Sequence, residues 1–430
     1  MTVAYLTSGA AGMYCGSCMH DNTLARGLTE IGVDVQLIPT YTPIRTDEND
    51  VSIDRVFFGG INIYLQQRMP LFRHLPGFLD RLLDSPWLIR RVAAGAVETS
   101  PKDLGALTVS MLRGSHGGQR KEIRKLCSYL KHHHRPKLVV LSNMLIGGCI
   151  PAMKSELNVP VLVTLQGDDI FLNDLIEPFK TRAFDEIRQL IPEVDGFIVN
   201  SRYYAEFMSG YFAIPADKMH IVPLGIDVDE FPTAVPARQD DTAPTVGYLA
   251  RLAPEKGLHH LVDAFILLRK MPGMKDAQLR IAGWLGKHRQ AYADEQFAKL
   301  AAAGLGDAFH YAGSVDRSEK LAFLSSLSVL SVPTTYHEPK GLYVLEALAA
   351  GVPVVQPAHG ALPDLIEATG GRIIPAADDP PALALALHSI LTDPPTRCEL
   401  ASRGHTAVHN QFNRLMMAKR MQELYNRFTG

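Results

Sequence analysis

Two glutamates eight residues apart, Glu338 and Glu346, flank Gly341 in the stretch HEPKGLYVLEALAAG (337–351). Glu338 follows an apolar strand (VLSVP, 329–333, then TTYH), and Gly341 opens a helix that carries Glu346 in its first turns. A helix N-terminus presents unpaired N–H groups at the positive end of its dipole, so the amides of Gly341 and Leu342 form a site for an anion. Carboxylates beside such a site repel phosphate and accept hydrogen bonds from hydroxyls. The combination suits a ligand with both parts, a sugar or ribose on the glutamates and a diphosphate on the amides. The plainer alternatives are a carboxylate complementing the helix dipole at Glu338 and a solvated helix position at Glu346. A second pair of charges lies in GYLARLAPEKGLHHLVDAF (247–265). The strand TVGYLA brings Arg251 just past its C-terminal end, where ligands collect in open α/β sheets, and Lys256 follows before Gly257 and a helix. An Arg fork and a Lys point charge suit a diphosphate; the alternative is a pair of surface residues on a βα loop.

These residues need a scaffold, and the chain supplies an α/β one. Short apolar runs alternate with helical segments, the pattern of parallel sheets. The first series is 3–7, 33–39, 137–142, 159–165, 196–200 and 220–224; the second is 245–250, 277–283, 308–313, 328–333, 352–356 and 371–375. Between them IDVDEFPTAVPARQDDTAP (226–244) reads as an interdomain linker. The expected organisation is an N-terminal Rossmann-like domain over 1–225 with a helical insertion at about 55–135, the linker 226–244, a C-terminal Rossmann-like domain over 245–410, and a final helix over 411–430 that packs back toward the N-terminal domain. Within the insertion, 68–91 mixes Arg68, Arg73, Arg81, Arg90 and Arg91 with Phe72, Phe78, Trp87 and leucines. It reads either as amphipathic helices covering the sheet or as an acceptor-recognition or membrane-surface element.

Composition narrows the class. A 430-residue chain with 47% hydrophobic and 20% charged residues has the make-up of a globular enzyme of two or three domains. A net charge of −2 gives no argument for a nucleic-acid partner. Five cysteines, at 15, 18, 127, 149 and 398, form no disulfide framework and point to a reducing cytoplasm. The N-terminus reads as a first strand and loop rather than a signal peptide, and no apolar run reaches the roughly 20 residues of a spanning helix.

The C-terminal half resembles the retaining glycosyltransferases of GT-B architecture, the large group that includes sucrose synthases and bacterial mannosyltransferases. The resemblance is carried, in order, by Gly247 to Arg251, Lys256–Gly257, IleAlaGly at 281–283, TyrAlaGlySerVal at 311–315, Glu338 and Glu346, GlyValProValVal at 351–355 and Gly360. It covers about residues 244–375 and implies two Rossmann-like domains facing a central cleft. It also implies roles. Arg251 and Lys256 neutralise the donor diphosphate, Glu346 binds the ribose, Glu338 binds the transferred sugar near the reacting carbon, and the Gly341 and Leu342 amides touch the phosphates.

The N-terminal half matches with departures. In SGAAGMYCGSCMHDNTLARGL (8–28), His20, Leu24–Ala25 and Gly16 fit the family spacing, while Cys15 replaces a family glycine. Gly9 and Gly12 keep the loop open to a ligand's approach. The resemblance makes His20 a catalytic candidate and Gly12 and Gly16 donor contacts. Cys15, Cys18 and His20 have a spacing open to zinc or redox chemistry, but no second cysteine pair completes a metal site, and two small side chains lining a loop is the simplest reading. At LeuGlnGlyAspAsp (165–169), Gln166 stands where many relatives carry histidine. Glutamine hydrogen-bonds hydroxyls but exchanges no proton near neutral pH. Gln166 and Asp169 are therefore candidate sugar or acceptor contacts. Leu224 also departs, standing where the family has asparagine.

The expected activity is a retaining transfer of a sugar from a nucleotide-diphosphate sugar to an acceptor, a saccharide, lipid or small metabolite. It uses no metal and no cofactor beyond the nucleotide-sugar co-substrate, whose base (UDP, GDP or ADP) the sequence does not distinguish. The expected location is cytoplasmic, with 68–91 as a possible contact to the inner membrane face. Two rivals share the pattern: a phosphorylase of the same architecture, in which Glu346 would have no ribose to bind, and an inactive nucleotide-sugar-binding protein.

Overall fold

The computed structural model describes residues 1–9, 15–59, 101–236 and 243–430. Gly12 and the arginine-rich stretch 68–91 lie outside the described residues. Two compact units result: one from 1–200, 204–223 and 414–430, the other from 201–203 and 224–413.

In the first unit the apolar runs become six parallel strands: β1 (Thr2–Ser8), β2 (Asp34–Thr40), β3 (Leu138–Leu141), β4 (Val161–Thr164), β5 (Gly196–Val199) and β6 (Met219–Ile221). Their order is β2-β1-β3-β4-β5-β6. The central strands LVVL and VLVT are buried along their whole length, as expected of a sheet covered by helices on both faces. The chain leaves β1 toward β2 on one side and returns as β3 on the other. The C-terminal ends of β1 and β3 therefore form a topological switch point, where doubly wound sheets bind ligands. Helix α1 (Gly16–Glu30) follows β1 and buries Leu24, Ala25 and Leu28. The last helix, Arg414–Thr429, packs on α1: Met417, Met421, Leu424 and Tyr425 join the same core, and Arg414 pairs with Glu30 at 2.7 Å. Helix α2 (Asp168–Asn173) starts directly after Gly167.

In the second unit β7 (Thr245–Leu249), β8 (Gln278–Ala282), β9 (Phe309–Tyr311) and β10 (Val329–Leu330) form a parallel sheet of order β10-β7-β8-β9. The strands β11 (Val355–Pro357) and β12 (Arg372–Ile374) form a separate pair, joined to β10 only by the Leu330–Val354 bridge. Prolines explain this split. Pro333, Pro353 and Pro357 supply no N–H to a ladder, so β10 ends after two residues and its pairing with the next strand shrinks to one bridge. Residues 226–236, read from sequence as linker, pack against this unit. Phe231 is buried, Ile226 N donates to Phe412 O at 2.9 Å, and Arg317 pairs with Glu230 at 2.6 Å. Helices α3 (Leu258–Leu268), α4 (Arg317–Ser325) and α5 (Leu342–Ala349) place the residues of interest. Among the described residues no helix is long and apolar enough to cross a membrane.

Candidate functional site

The second unit gathers several of the sequence candidates at one place. Beyond β7 the chain turns through Pro254–Lys256 into α3, and the buried Tyr248 hydroxyl ties this turn down by donating to Arg251 O (3.1 Å) or Lys256 O (3.3 Å). Gly257 makes the turn possible. Its φ is +71°, and a Cβ there would sit 1.8 Å from Pro333 O. The turn docks on the segment after β10, where Thr335 N and Thr334 Oγ1 both donate to Glu255 O at 3.0 Å.

This docking brings Lys256 to Glu338. The Lys256 ammonium lies 2.6 Å from Glu338 Oε2 and 2.6 Å from the Tyr336 hydroxyl, which itself donates to Glu338 Oε2 at 2.8 Å. The ammonium also lies 4.6 Å from the Tyr336 ring centroid and 5.6 Å from that of Tyr343, within cation–π range. Neither tyrosine was singled out from the sequence. The other Glu338 oxygen accepts from Lys340 N at 3.3 Å and Gly341 N at 3.4 Å. Of the two amides read from sequence as an anion site, that of Gly341 already faces an anion, the Glu338 carboxylate, together with Lys340 N and through long bonds. Burial pushes the Glu338 carboxyl up, but the Lys256 charge and the bonds from Lys256, Tyr336 and Lys340 together outweigh it and hold it below the usual carboxylate range. The backbone here is shaped by Gly360, at φ +61°, where a Cβ would lie 2.5 Å from Glu338 N.

Gly341 caps α5 in the left-handed region (φ +72°), with Leu342 as the first helical residue. Glu346 is buried rather than solvated. It pairs with Lys320 of α4 at 2.5 Å, with side-chain exposures of only 6% for Lys320 and 8% for Glu346. Lys320 was missed from sequence, although a signal exists: it lies three and four residues before Phe323 and Leu324, on the apolar face of α4. Arg251 does not join the Lys256–Glu338 pair. Its side chain is 46% exposed and lies 3.5 Å from Glu255. A cavity of about 470 Å³ opens beside the segment, lined by His260, Thr335, His359 and Asp378 among others.

The first unit holds a separate polar cluster at its switch point. His20 and Asp21 sit in the second turn of α1, both buried, with His20 Nδ1 3.0 Å from Asp21 Oδ1. Asp21 also accepts from Tyr5 (2.9 Å), Thr7 (2.7 Å) and Gln166 Nε2 (2.8 Å). Gln166 therefore lies with His20, around a carboxylate that sequence reading did not single out. Asp168 accepts from Met144 N at 2.6 Å and Gln166 N at 3.1 Å, tying the ends of β3 and β4 together. Its burial outweighs these bonds and pushes the carboxyl up to about 6. Asp169 is bound by the Tyr204 hydroxyl at 2.6 Å. Gly16 is the first residue of α1, Cys15 precedes it, and Cys18 donates to Ser8 O at 3.3 Å. Among the described residues no group of three or more His, Cys, Asp or Glu is arranged to hold a metal.

Comparison with known proteins agrees with this architecture. The family model described as Glycosyl transferases group 1 matches residues 234–406, and that described as Glycosyltransferase Family 4 matches 108–230. The chain is 30% identical to a D-inositol 3-phosphate glycosyltransferase of Stackebrandtia nassauensis over 53% of either chain, so the match spans about half of that relative's length. Its fold is similar to a sucrose-phosphate synthase from Thermosynechococcus elongatus (TM-score 0.70, 21% identity, 99% of both chains). It is also similar to the Anabaena protein Alr3699/HepE in complex with UDP (TM-score 0.69, 16% identity, 99% of this chain and 100% of that one), a protein also solved with UDP-glucose. These neighbours have the two-domain GT-B fold, which this α/β chain shares.

Proposed function

We propose that this chain, which belongs to the group 1 glycosyltransferases, transfers a sugar from a nucleotide-diphosphate sugar to a hydroxyl acceptor with retention of anomeric configuration and without a metal. The observation that carries the donor half is the buried Lys256–Glu338 pair at the start of α5. Breaking a glycosyl–phosphate bond leaves negative charge on the diphosphate and an oxocarbenium-like sugar. Lys256, Arg251 and the amides of Gly341 and Leu342 supply the charges for the first, and Glu338 the carboxylate for the second. The bonds from Lys340 N and Gly341 N to Glu338 are long, so an entering phosphate displaces them at little cost. Glu346 accepts ribose hydroxyls, and Lys320 holds its carboxylate in place.

Donor identity is read by a thermal-shift screen against UDP, GDP, ADP and their sugars, since a ligand that binds the native state raises its melting temperature. One nucleotide sugar is expected to stabilise the chain and to release its nucleoside diphosphate in the presence of EDTA. The anomeric configuration of the product, followed by NMR, tests retention. Silence toward every nucleotide and nucleotide sugar tried would overturn the reading.

A further inference from the structure

Asp21 accepts from four side chains in the first unit, and no role assigned above uses it. It is fully buried. Donors reach it from β1 (Tyr5 and Thr7), from α1 (His20) and from the residue that follows Leu165 after β4 (Gln166). Burial first, and the Asp21 charge second, hold the Tyr5 hydroxyl well above its ordinary pKa, so Tyr5 keeps its proton and donates. With four donors converging, Asp21 has only acceptor roles to play.

Two consequences follow for its neighbours. His20 approaches Asp21 through Nδ1, so Nδ1 carries the hydrogen and Nε2 is left as an acceptor in the neutral ring. Among the described residues no hydrogen bond engages Nε2. Gln166 Nε2 faces two acceptors, Asp21 Oδ1 at 2.8 Å and Ser142 O at 3.2 Å, which fixes the orientation of the amide. Its Oε1 is buried and has no partner, in a side chain more than nine-tenths buried. An unpartnered buried acceptor is costly unless a ligand satisfies it.

We infer that Asp21 is a positioning residue that holds His20 Nε2 and Gln166 Oε1 as hydrogen-bond acceptors for hydroxyls of a neutral polyol or saccharide. That ligand class rests on the transferase reading; the tautomer and amide orientation do not. The site offers two acceptors from His20 and Gln166, with the carboxylates of Asp21 and Asp168 bonded around Gln166, so it favours a hydroxyl donor over an anion.

The test begins with the intact protein labelled with ¹⁵N-histidine. Long-range ¹H–¹⁵N correlation spectra, with His20 assigned by its loss in His20→Gln, report the tautomer directly. The expected result is a protonated Nδ1 and a bare Nε2 in the neutral ring. A protonated Nε2 with a bare Nδ1 overturns the inference, with or without any transferase activity. Asp21→Asn places an amide among four donors and is expected to move His20 toward the other tautomer. With the cognate donor it should lower kcat on the order of ten- to a hundredfold while leaving donor KM within about twofold. A folded Asp21→Asn with unchanged tautomer and kcat overturns the inference. Should that variant fail to fold, the wild-type spectrum decides.

Discussion

Replacing Lys320 by methionine isolates the second buried ion pair of the second unit. Lys320 and Glu346 are 2.5 Å apart, and neither side chain is more than 8% exposed. Methionine keeps the length and packing of the lysine stem but removes the charge, leaving the Glu346 carboxylate without its ammonium in a low-dielectric setting. Removing one partner of a buried pair costs about 3–5 kcal/mol, because the remaining charge stays desolvated. At roughly 2–4 °C per kcal/mol for a unit of this size, the melting temperature falls by about 6–20 °C. The assay is urea unfolding of the wild type, Lys320→Met, Glu346→Leu and the double variant. The double variant should recover most of the loss, since a buried pair replaced by apolar residues is often neutral. A coupling energy under about 1 kcal/mol, or a Lys320→Met stability within about 1 kcal/mol of wild type, would refute the reasoning.

Glu338→Gln keeps the size of the side chain but removes its charge; transfer should fall by about a hundredfold or more. Binding of the nucleoside diphosphate found by the screen should hold or tighten, because Lys256 and two amides lose their resident anion; a tenfold weaker Kd by calorimetry counts against this. Gly257→Ala should destabilise by more than about 1 kcal/mol and uncouple Lys256 from Glu338, since the new Cβ meets Pro333 O at 1.8 Å. A wild-type melting curve for this variant would show that the turn is not held there. Asp168 predicts a pH effect of known sign. Its folded value of about 6 lies above the ordinary 3.8, so its contribution is full below pH 3.8 and is lost as pH rises through 6. The span corresponds to roughly 3 kcal/mol at about 1.4 kcal/mol per pH unit. Asp168→Asn should therefore flatten the wild-type decline in urea stability between pH 4 and 6, and an unchanged slope would remove Asp168 as its source.

The strands were legible because a doubly covered parallel sheet demands unbroken apolar runs, and LVVL and VLVT are too apolar to read otherwise. The separation of β11 and β12 from the main sheet was written in Pro333, Pro353 and Pro357, but its meaning depends on which strands lie side by side, which the alternation alone does not tell. Glu338, Lys256 and Glu346 were singled out by order and spacing, and the structure joins Lys256 to Glu338. Their partners were harder. Tyr336 lies two residues from Glu338 yet matters because of where a turn 80 residues earlier brings Lys256.

Asp21 shows why such partners escape sequence reading. Beside His20 in an early helical turn, a carboxylate reads as solvent-facing or as favourable to the helix dipole. Its importance comes from donors 16, 14 and 145 residues away in the chain. The replacement of a family histidine by Gln166 looked from sequence like the loss of a proton-exchanging group. The structure places Gln166 and His20 on the same Asp21 oxygen, so the imidazole ring lies two hydrogen bonds away from Gln166, through Asp21, on α1. If a proton-accepting nitrogen is required in the first unit, the candidate to test is His20 Nε2. His20→Gln should then lower kcat/KM by more than Gln166→Ala does. Equal losses would assign that role elsewhere.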